Sequence, residues 1–285
     1  MFSKKKPLSI CYGMGVDSTA VLVKMVEYGI KPDLILFADT GGEKPETYAY
    51  LPIIQKFLKD NGFPPVIVVK FKPVRAKYTT LEDKQLTNQT LPALAFGLHT
   101  CSIIFKKVVQ EKFIKTWQPA IDAWANGETV TRVIGYDAGK ADLERSAKID
   151  KKLQIVRWKI QKDEVLVKGQ VDIGEDIRRY ENWYPLQDWG LSREDLPAII
   201  KNAGLPVPVK SACFFCPASK KHEIIWLRDN HPDYFARALE IEANFLNGKN
   251  NNEKTTCKGL GRYFAWAELA DSDGEHIKEN NLSMP

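Results

Sequence analysis

The chain of 285 residues is 44% hydrophobic and 27% charged, which excludes a disordered or fibrous protein. Its net charge of +5 fits a nucleic-acid partner and fits equally well an enzyme for phosphorylated small molecules. No run of about 18 apolar residues is present, and the start of the chain lacks the apolar stretch of a signal peptide. We therefore expect a cytoplasmic protein without a membrane partner.

Short apolar strands alternate with helices through the first part of the chain. The predicted strands lie at residues 8–12, 34–38, 66–69, 132–136 and 184–186. Helices are expected at residues 18–28 and 45–60, between the first three strands. This alternation implies an α/β fold with a doubly wound, mostly parallel sheet, whose ligand lies at the carboxyl ends of the strands.

The remaining segments are predominantly helical or polar. Residues 81–117 have helical spacing, and residues 137–170 are polar and lysine-rich, which predicts a mobile loop together with an excursion from the fold. We expect a nucleotide-binding domain at residues 1–190 and a small, mainly helical region at residues 191–285 that contains a Cys-x-x-Cys motif.

A glycine-containing turn separates the first strand from the first helix. We call Gly13-Met14-Gly15-Val16-Asp17-Ser18-Thr19 the glycine loop. Backbone N–H groups at such a turn and at a helix N-terminus bind phosphates, and the hydroxyls of Ser18 and Thr19 add donors. The pattern is neither the dinucleotide fingerprint nor the Walker motif. An ordinary turn in which Asp17 or Ser18 caps the helix is the alternative.

The motif Cys213-Phe214-Phe215-Cys216-Pro217 is the second strong signal. Two thiolates three residues apart on a turn can hold one metal ion or one cluster. Cys101 and Cys257 raise the number of candidate ligands to four, a set that suits zinc as well as an iron–sulfur cluster. A redox dithiol would normally open a helix in a thioredoxin-like unit, and the sequence contains no such pattern. Cys11 lies in an apolar strand, where a buried thiol is expected.

The glycine loop resembles the Ser-Gly-Gly-x-Asp-Ser loop of the N-type ATP pyrophosphatases, the PP-loop superfamily. Four further segments are similar to the phosphoadenosine phosphosulfate (PAPS) reductase group of that superfamily. These segments are Phe37-Ala38-Asp39-Thr40-Gly41 with Pro45-Glu46-Thr47-Tyr48, Cys101 with Lys106-Lys107, Ile134-Gly135-Tyr136 with Glu144-Arg145, and Tyr184-Pro185-Leu186 with Trp189. The resemblance implies a five-stranded sheet. Gly13 and Met14 replace the family's Ser and Gly, which removes a hydroxyl and is expected to place a side chain near the phosphates.

The resemblance implies roles for residues outside the glycine loop. Asp39, Thr40, Gly41 and Gly135 would line the nucleotide site. Asp17 and Ser18 are candidate catalytic residues.

Three cations are further catalytic candidates by the same resemblance. Lys106, Lys107 and Arg145 would neutralise charge that develops on pyrophosphate. Asp17 and Asp39 could share a Mg²⁺ ion, which prefers one or two carboxylates together with phosphates. A solvated helix face is the alternative for the two lysines.

Iron–sulfur members of the family place cysteines similarly. Cys101, Cys213 and Cys216 are therefore the expected ligands of a [4Fe–4S] cluster, and Cys257 is either the fourth ligand or a free thiol. Zinc remains the alternative occupant.

The resemblance implies an enzyme that uses ATP to adenylate an acceptor oxygen and releases pyrophosphate, so that sulfur can replace that oxygen. Enzymes of DNA phosphorothioation and tRNA thiolation are the models, with tRNA or DNA as the acceptor and a sulfur or thiol donor protein as a partner. One alternative is a reductase of PAPS or adenylyl sulfate, in which Cys257, within residues 255–262, attacks the sulfonate. An alternative of another class is a nucleotide-binding scaffold or sensor with structural zinc.

Overall fold

The computed structural model describes residues 6–167, 169–251 and 256–270, and the C-terminal helical region is therefore described only as far as residue 270. The contacts divide the chain into two compact units. Unit 1 comprises the described parts of Met1–Phe37, Ala49–Val68 and Gln110–Lys210, and unit 2 those of Ala38–Tyr48, Val69–Val109 and Ser211–Pro285. Units defined by contacts need not coincide with domains, so the boundary at residue 190 stays a prediction.

Five strands form one sheet in the order β3-β2-β1-β4-β5. The strands are β1 Leu8–Cys11, β2 Leu34–Asp39, β3 Val66–Lys70, β4 Val130–Val133 and β5 Tyr180–Trp183. Strand β1 pairs in parallel with both β2 and β4, and β4 pairs in parallel with β5. The predicted doubly wound α/β class is confirmed. The strand order reverses between β1 and β4, and a ligand of such a sheet binds at the carboxyl ends of these two strands.

The described residues contain twelve α-helical segments. They are α1 Val16–Glu27, α2 Pro45–Asp60, α3 Leu81–Asn88, α4 Thr100–Ser102, α5 Val108–Ile114, α6 Gln118–Ala125, α7 Lys140–Gln161, α8 Gln170–Arg179, α9 Pro185–Asp188, α10 Leu196–Asn202, α11 Lys221–Asn230 and α12 Pro232–Leu246. A π-helical segment, Ile103–Lys107, joins α4 to α5. No helix of the described residues is long and apolar enough to cross a membrane.

Two sequence predictions about segment type are wrong. The polar composition of residues 137–170 predicts a mobile loop, but most of this segment is the 22-residue helix α7. Its buried and half-buried apolar residues recur at intervals of three and four, and lysine has a high intrinsic helix propensity that a polarity-based prediction overlooks. The last strand is Tyr180–Trp183 and not residues 184–186, because Pro185 lacks the N–H that a strand needs and instead begins α9.

The core of unit 1 lies around β1 and α1. Helix α1 has seven buried residues among its twelve, and it packs against α10. Ala20, Leu22 and Met25 are fully buried. Because α1 is enclosed by apolar side chains, its N-terminus has a fixed position at the end of β1.

Unit 2 has an apolar core of its own. Phe214, Phe215, Phe245 and Trp266 are almost fully buried there. The buried carboxylate of Glu242 accepts hydrogen bonds from the backbone N–H groups of three residues in the last described segment, Leu260, Trp266 and Ala267, at 2.7–2.9 Å. These three hydrogen bonds hold that segment against α12.

Candidate functional site

The glycine loop in unit 1 has the geometry of an anion-binding turn. The Gly13 N–H donates to Ser18 Oγ at 3.2 Å, and Ser18 Oγ donates to the Gly15 carbonyl at 3.2 Å. Gly15 is the N-cap of α1, and no side chain caps this end. The first N–H groups of a helix have no partner within the helix, so those of α1 are open to an anion. The alternative prediction, that Asp17 or Ser18 caps α1, is wrong.

Gly135 lies directly against this loop. A Cβ at Gly135 would be 3.3 Å from both N and Cα of Ser18 and 3.4 Å from the carbonyl carbon of Asp17. Contacts this short with backbone atoms leave little room for a side chain. The ends of β1 and β4 therefore meet where the strand order reverses.

Two members of the loop point into the core. The Met14 side chain is fully buried in the core of unit 1, so the expectation that it lies near the phosphates is wrong. Its φ of 60° is left-handed, a region that glycine adopts without strain. Thr19 is also fully buried, and its hydroxyl shares a 3.0 Å hydrogen bond with that of Tyr12, which leaves Ser18 as the loop's hydroxyl nearer to solvent.

Asp17 forms an ion pair with an arginine that the sequence alone does not identify as a site residue. Its carboxylate accepts a hydrogen bond from Nη1 of Arg193, which precedes α10. Burial raises the pKa of Asp17, the bond to Arg193 opposes this change, and the charges of Asp137 and Asp142 add to it. These two acids therefore lie near Asp17.

Arg145 forms an ion pair with one of these two acids, Asp142. Its Nη1 lies 2.8 Å from Oδ1 of Asp142, and its guanidinium lies over the Tyr136 ring, 5.1 Å from the centroid. Arg145 and Arg193 are thus two cations, each paired with an acid, at the carboxyl end of the sheet. Arg145 is a predicted site residue, whereas no sequence signal connects Arg193 with Asp17, because the two are 176 residues apart.

In unit 2, Asp39 stabilises the turn that follows β2. Its Oδ1 accepts from the Gly41 N–H at 2.8 Å and from the Tyr48 hydroxyl at 2.7 Å, and Lys70 Nζ lies 3.1 Å from its Oδ2. Gly41 has a φ of 74°, and a Cβ there would be 2.4 Å from Thr80 Cγ2, so only glycine fits. Asp17 and Asp39 belong to different units, and a shared Mg²⁺ stays a prediction.

The Cys-x-x-Cys turn pairs with this same turn. The Phe214 N–H donates to the Gly42 carbonyl at 2.8 Å, and Cys213 forms a β-bridge with Glu43. The Cys216 N–H donates to the Cys213 carbonyl at 3.0 Å, which closes the turn. A Cβ at Gly42 would be 2.7 Å from the Phe215 ring, so glycine permits the close approach.

A buried carboxylate, Glu43, lies at the centre of this contact. Its Oε1 accepts from Thr40 Oγ1 at 3.1 Å and lies 3.1 Å from Lys106 Nζ, while its Oε2 has no partner. Thr40 Oγ1 is also 3.3 Å from Cys213 Sγ. The structure thus brings the predicted residues Thr40 and Lys106 to a cysteine. Sequence reasoning missed Glu43, although a charged residue directly after two glycines at a strand end is a usable signal.

Burial and neighbouring charges shift the pKa values of Cys213 and Lys106 at this contact. Burial raises the pKa of the Cys213 thiol, and the charge of Glu43 raises it further, while Lys106 opposes both. Burial alone would lower the pKa of Lys106, but the charge of Glu43 raises it. Lys107, the next residue of the π-helical segment, is exposed.

The four predicted metal ligands all belong to unit 2 and contact its apolar core. Cys101 Sγ accepts from the Ala93 N–H at 3.2 Å, and Cys257 Sγ donates to the Gly259 carbonyl at 3.2 Å. Among the described residues, no three Cys, His, Asp or Glu side chains are grouped so that they could hold a metal ion. Cys213 and Cys216 share one turn, and within the described part of the chain neither Cys101 nor Cys257 is grouped with them as a set of metal ligands.

Cys257 lacks the environment of a nucleophile. It is buried, and burial raises the pKa of its thiol. A nucleophilic cysteine needs the thiolate at neutral pH, which a raised pKa opposes. Thr255, at the start of the proposed reductase segment, lies outside the described residues.

No family model matches this chain, and no curated protein matches it. Among solved structures, it is similar to the U34-tRNA thiolase NcsA from Methanococcus maripaludis with its [4Fe–4S] cluster. The TM-score is 0.42 and the identity 14%, over 95% of this chain and 82% of the other. A likeness at this level carries no argument about function.

Proposed function

We propose that the protein binds ATP at the glycine loop and adenylates an acceptor oxygen, with release of pyrophosphate, as a step of sulfur transfer to nucleic acid. The observation that carries the proposal is the uncapped N-terminus of α1 at the point of strand reversal, with Gly135 against it. A turn of this kind suits the phosphates of a nucleotide, and its position is where doubly wound sheets bind them.

The residues of unit 1 have distinct roles in this reaction. The N–H groups at the start of α1 bind phosphate oxygens, and the Ser18 hydroxyl keeps the loop closed through its two hydrogen bonds. Arg193 and Arg145 supply positive charge for the leaving pyrophosphate, which stabilises a phosphoryl-type transition state. Asp17 orients Arg193.

The residues of unit 2 would serve the sulfur. Cys213 and Cys216 would hold an iron–sulfur cluster or a zinc ion, with Cys101 and Cys257 as the further thiols of the unit. A cluster would supply a site that carries sulfur. Glu43 positions Lys106 and, through Thr40, the Cys213 side chain.

Acceptor-dependent conversion of ATP to AMP and pyrophosphate tests the proposal. We expect turnover with a single-stranded RNA or DNA acceptor and a sulfide donor, and a reduction of at least tenfold in Ser18→Ala. Thr116→Ala, which removes an exposed hydroxyl bonded only to the Phe113 carbonyl, is the matched control. Equal turnover by the two variants would remove the loop assignment. Sulfite release from PAPS with a thiol donor would establish the reductase instead.

Metal analysis of anaerobically purified protein tests the cysteine site. We expect about four irons with matching sulfide in the wild type, and their loss in the double variant Cys213→Ser/Cys216→Ser. Cys11→Ala, which removes a thiol of unit 1, is the control and should retain the iron. One zinc ion without iron would instead support a structural site. Tight ATP binding without turnover would support the scaffold alternative.

A further inference from the structure

Helix α7 has two faces of different character. Its inward positions are Ser146, Ile149, Leu153, Val156 and Ile160, which recur at intervals of three and four residues and are buried or half-buried. The opposite face carries Lys148, Lys151, Ile155 and Trp158 at the same intervals, followed by Lys162, the C-cap residue of the helix, and all five are exposed. We call these five residues the α7 stripe. The proposed reaction uses none of them.

The inward face keeps α7 in place on unit 1. The Ser146 hydroxyl donates to Gln187 Oε1 at 2.9 Å, and Val156 is 2% exposed. Asp150 accepts from the Tyr184 hydroxyl at 3.4 Å. Helix α7 also packs against α8. The α7 stripe is therefore displayed on a fixed surface of the folded unit.

The charge of α7 is strongly one-sided. Among the described residues, the ion pairs of the helix are Arg145 with Asp142 and Lys159 with Glu164, and the stripe lysines have none. Asp142 and Asp150 bond to groups on the inward side, so Glu144 is the acid left on the exposed face. Lysines without acidic partners around one helix face attract a polyanion.

Two large apolar side chains lie between these lysines. Trp158 is 53% exposed and Ile155 is 46% exposed. An exposed indole between cations is suited to stacking on a nucleobase while the cations contact phosphates. From Lys148 to Lys162 the helix rises about 20 Å, which is enough for several nucleotides of one strand.

A membrane surface is the competing occupant, because basic helices with tryptophan also bind lipid headgroups. Such a helix needs a continuous apolar face with its cations along the edges. In α7 the opposite holds, since Lys151 and Lys162 lie on the same line as Ile155 and Trp158. Charge complementarity and this mixing favour a single nucleic-acid strand.

We propose that the α7 stripe binds a single-stranded stretch of nucleic acid through its sugar–phosphate backbone, with Trp158 stacked on a base. This inference rests on the proposed function for its purpose, since it identifies where the acceptor binds. Six residues separate the end of β4 at Val133 from the start of α7 at Lys140, and one of them is Gly135, which meets the glycine loop. A nucleic-acid strand bound along α7 thus extends toward the proposed nucleotide site of unit 1.

Fluorescence anisotropy with labelled 20-nucleotide poly(U), poly(dT) and a duplex of the same length tests the inference on the full chain. Lys148→Ala/Lys151→Ala/Lys162→Ala should weaken strand binding at least tenfold. It should also reduce the slope of log affinity against log salt by about 2, at about 0.7 for each lost phosphate contact. Trp158→Ala should weaken binding about fivefold or more and Trp158→Phe less, because stacking depends on an aromatic face.

The matched control is Lys31→Ala/Lys59→Ala/Lys201→Ala, which removes the same charge from exposed positions elsewhere in unit 1. It should retain strand affinity to within about twofold, since screening limits the effect of distant charges. Equal losses in the two triple variants would overturn the inference, as would preferential binding to the duplex. Binding to phosphatidylserine vesicles that depends on Trp158, without strand binding, would assign α7 to a membrane.

The outcomes of the two proposals are separable. The α7 triple variant should bind ATP as the wild type does, because its lysines lie outside the glycine loop. If strand binding does not depend on α7 while acceptor-dependent pyrophosphate release persists, the surface is wrong and the proposed function stands. If the wild type binds strands through α7 but never binds ATP, the proposed function fails and the surface stands.

Discussion

Replacement of Gly135 by alanine tests the nucleotide site most directly. The new methyl group would lie 3.3 Å from N and Cα of Ser18 and 3.4 Å from the carbonyl carbon of Asp17. All three are backbone atoms, so relief requires the start of α1 or the end of β4 to move by a few tenths of an ångström. Overpacking of this kind costs about 1–3 kcal/mol.

The displacement falls on the atoms that would bind phosphate. The methyl group also shields the Ser18 N–H, one of the open donors at the start of α1, and the Gly13–Ser18 hydrogen bond is already long at 3.2 Å. A loss of about 1.4 kcal/mol in binding corresponds to a tenfold weaker affinity. We therefore expect Gly135→Ala to weaken ATP binding at least tenfold in calorimetric titration.

Gly62→Ala supplies a control with a comparable stability cost. Gly62 has a φ of 70°, and no atom lies within 4 Å of the position that a Cβ would occupy, so alanine there adds about 1 kcal/mol of backbone strain and no clash. This variant should melt at a lower temperature than the wild type and bind ATP normally. Normal ATP affinity in Gly135→Ala, measured where the protein is folded, would refute the placement of the phosphates at this loop.

Three further predictions concern Glu43, Met14 and Cys213. Glu43→Gln should lower the free energy of unfolding by about 1–3 kcal/mol in urea titrations, less than for a fully buried pair because Lys106 is 36% exposed; no change would contradict the buried ion pair. Met14→Gly should cost about 1–4 kcal/mol, since the lost burial outweighs the relief of left-handed strain, and a stabilised variant would contradict this balance. Alkylation of Cys213 in metal-free protein should be slower than that of an unfolded thiol at pH 8, because burial raises its pKa; equal rates would be the contrary result. Because the pKa of Cys213 is higher in the folded than in the unfolded protein, its contribution to the free energy of unfolding is fully present below about pH 9, the unfolded pKa. This contribution is lost as the pH rises through the folded pKa.

The sequence by itself determined the α/β class and the position of the glycine loop. Strand β2 is buried on both faces, and its residues from Leu34 to Ala38 are all apolar, which is a local signal. The loop could be identified because its glycines and hydroxyls are adjacent in the chain, and helix α2 has the bounds that the sequence predicts because Pro45 marks its start.

Only the tertiary structure decided which partners these residues have. Arg193 on Asp17 and Cys213 against Glu43 join residues more than 160 positions apart, and no local pattern encodes such contacts. The burial of Met14 and the exposure of Trp158 depend equally on what packs around them. The type of each side chain is local information, whereas its burial and its neighbours follow from the path of the whole chain. The sequence therefore predicts which chemical groups the candidate sites contain, and only the tertiary structure shows how these groups are arranged.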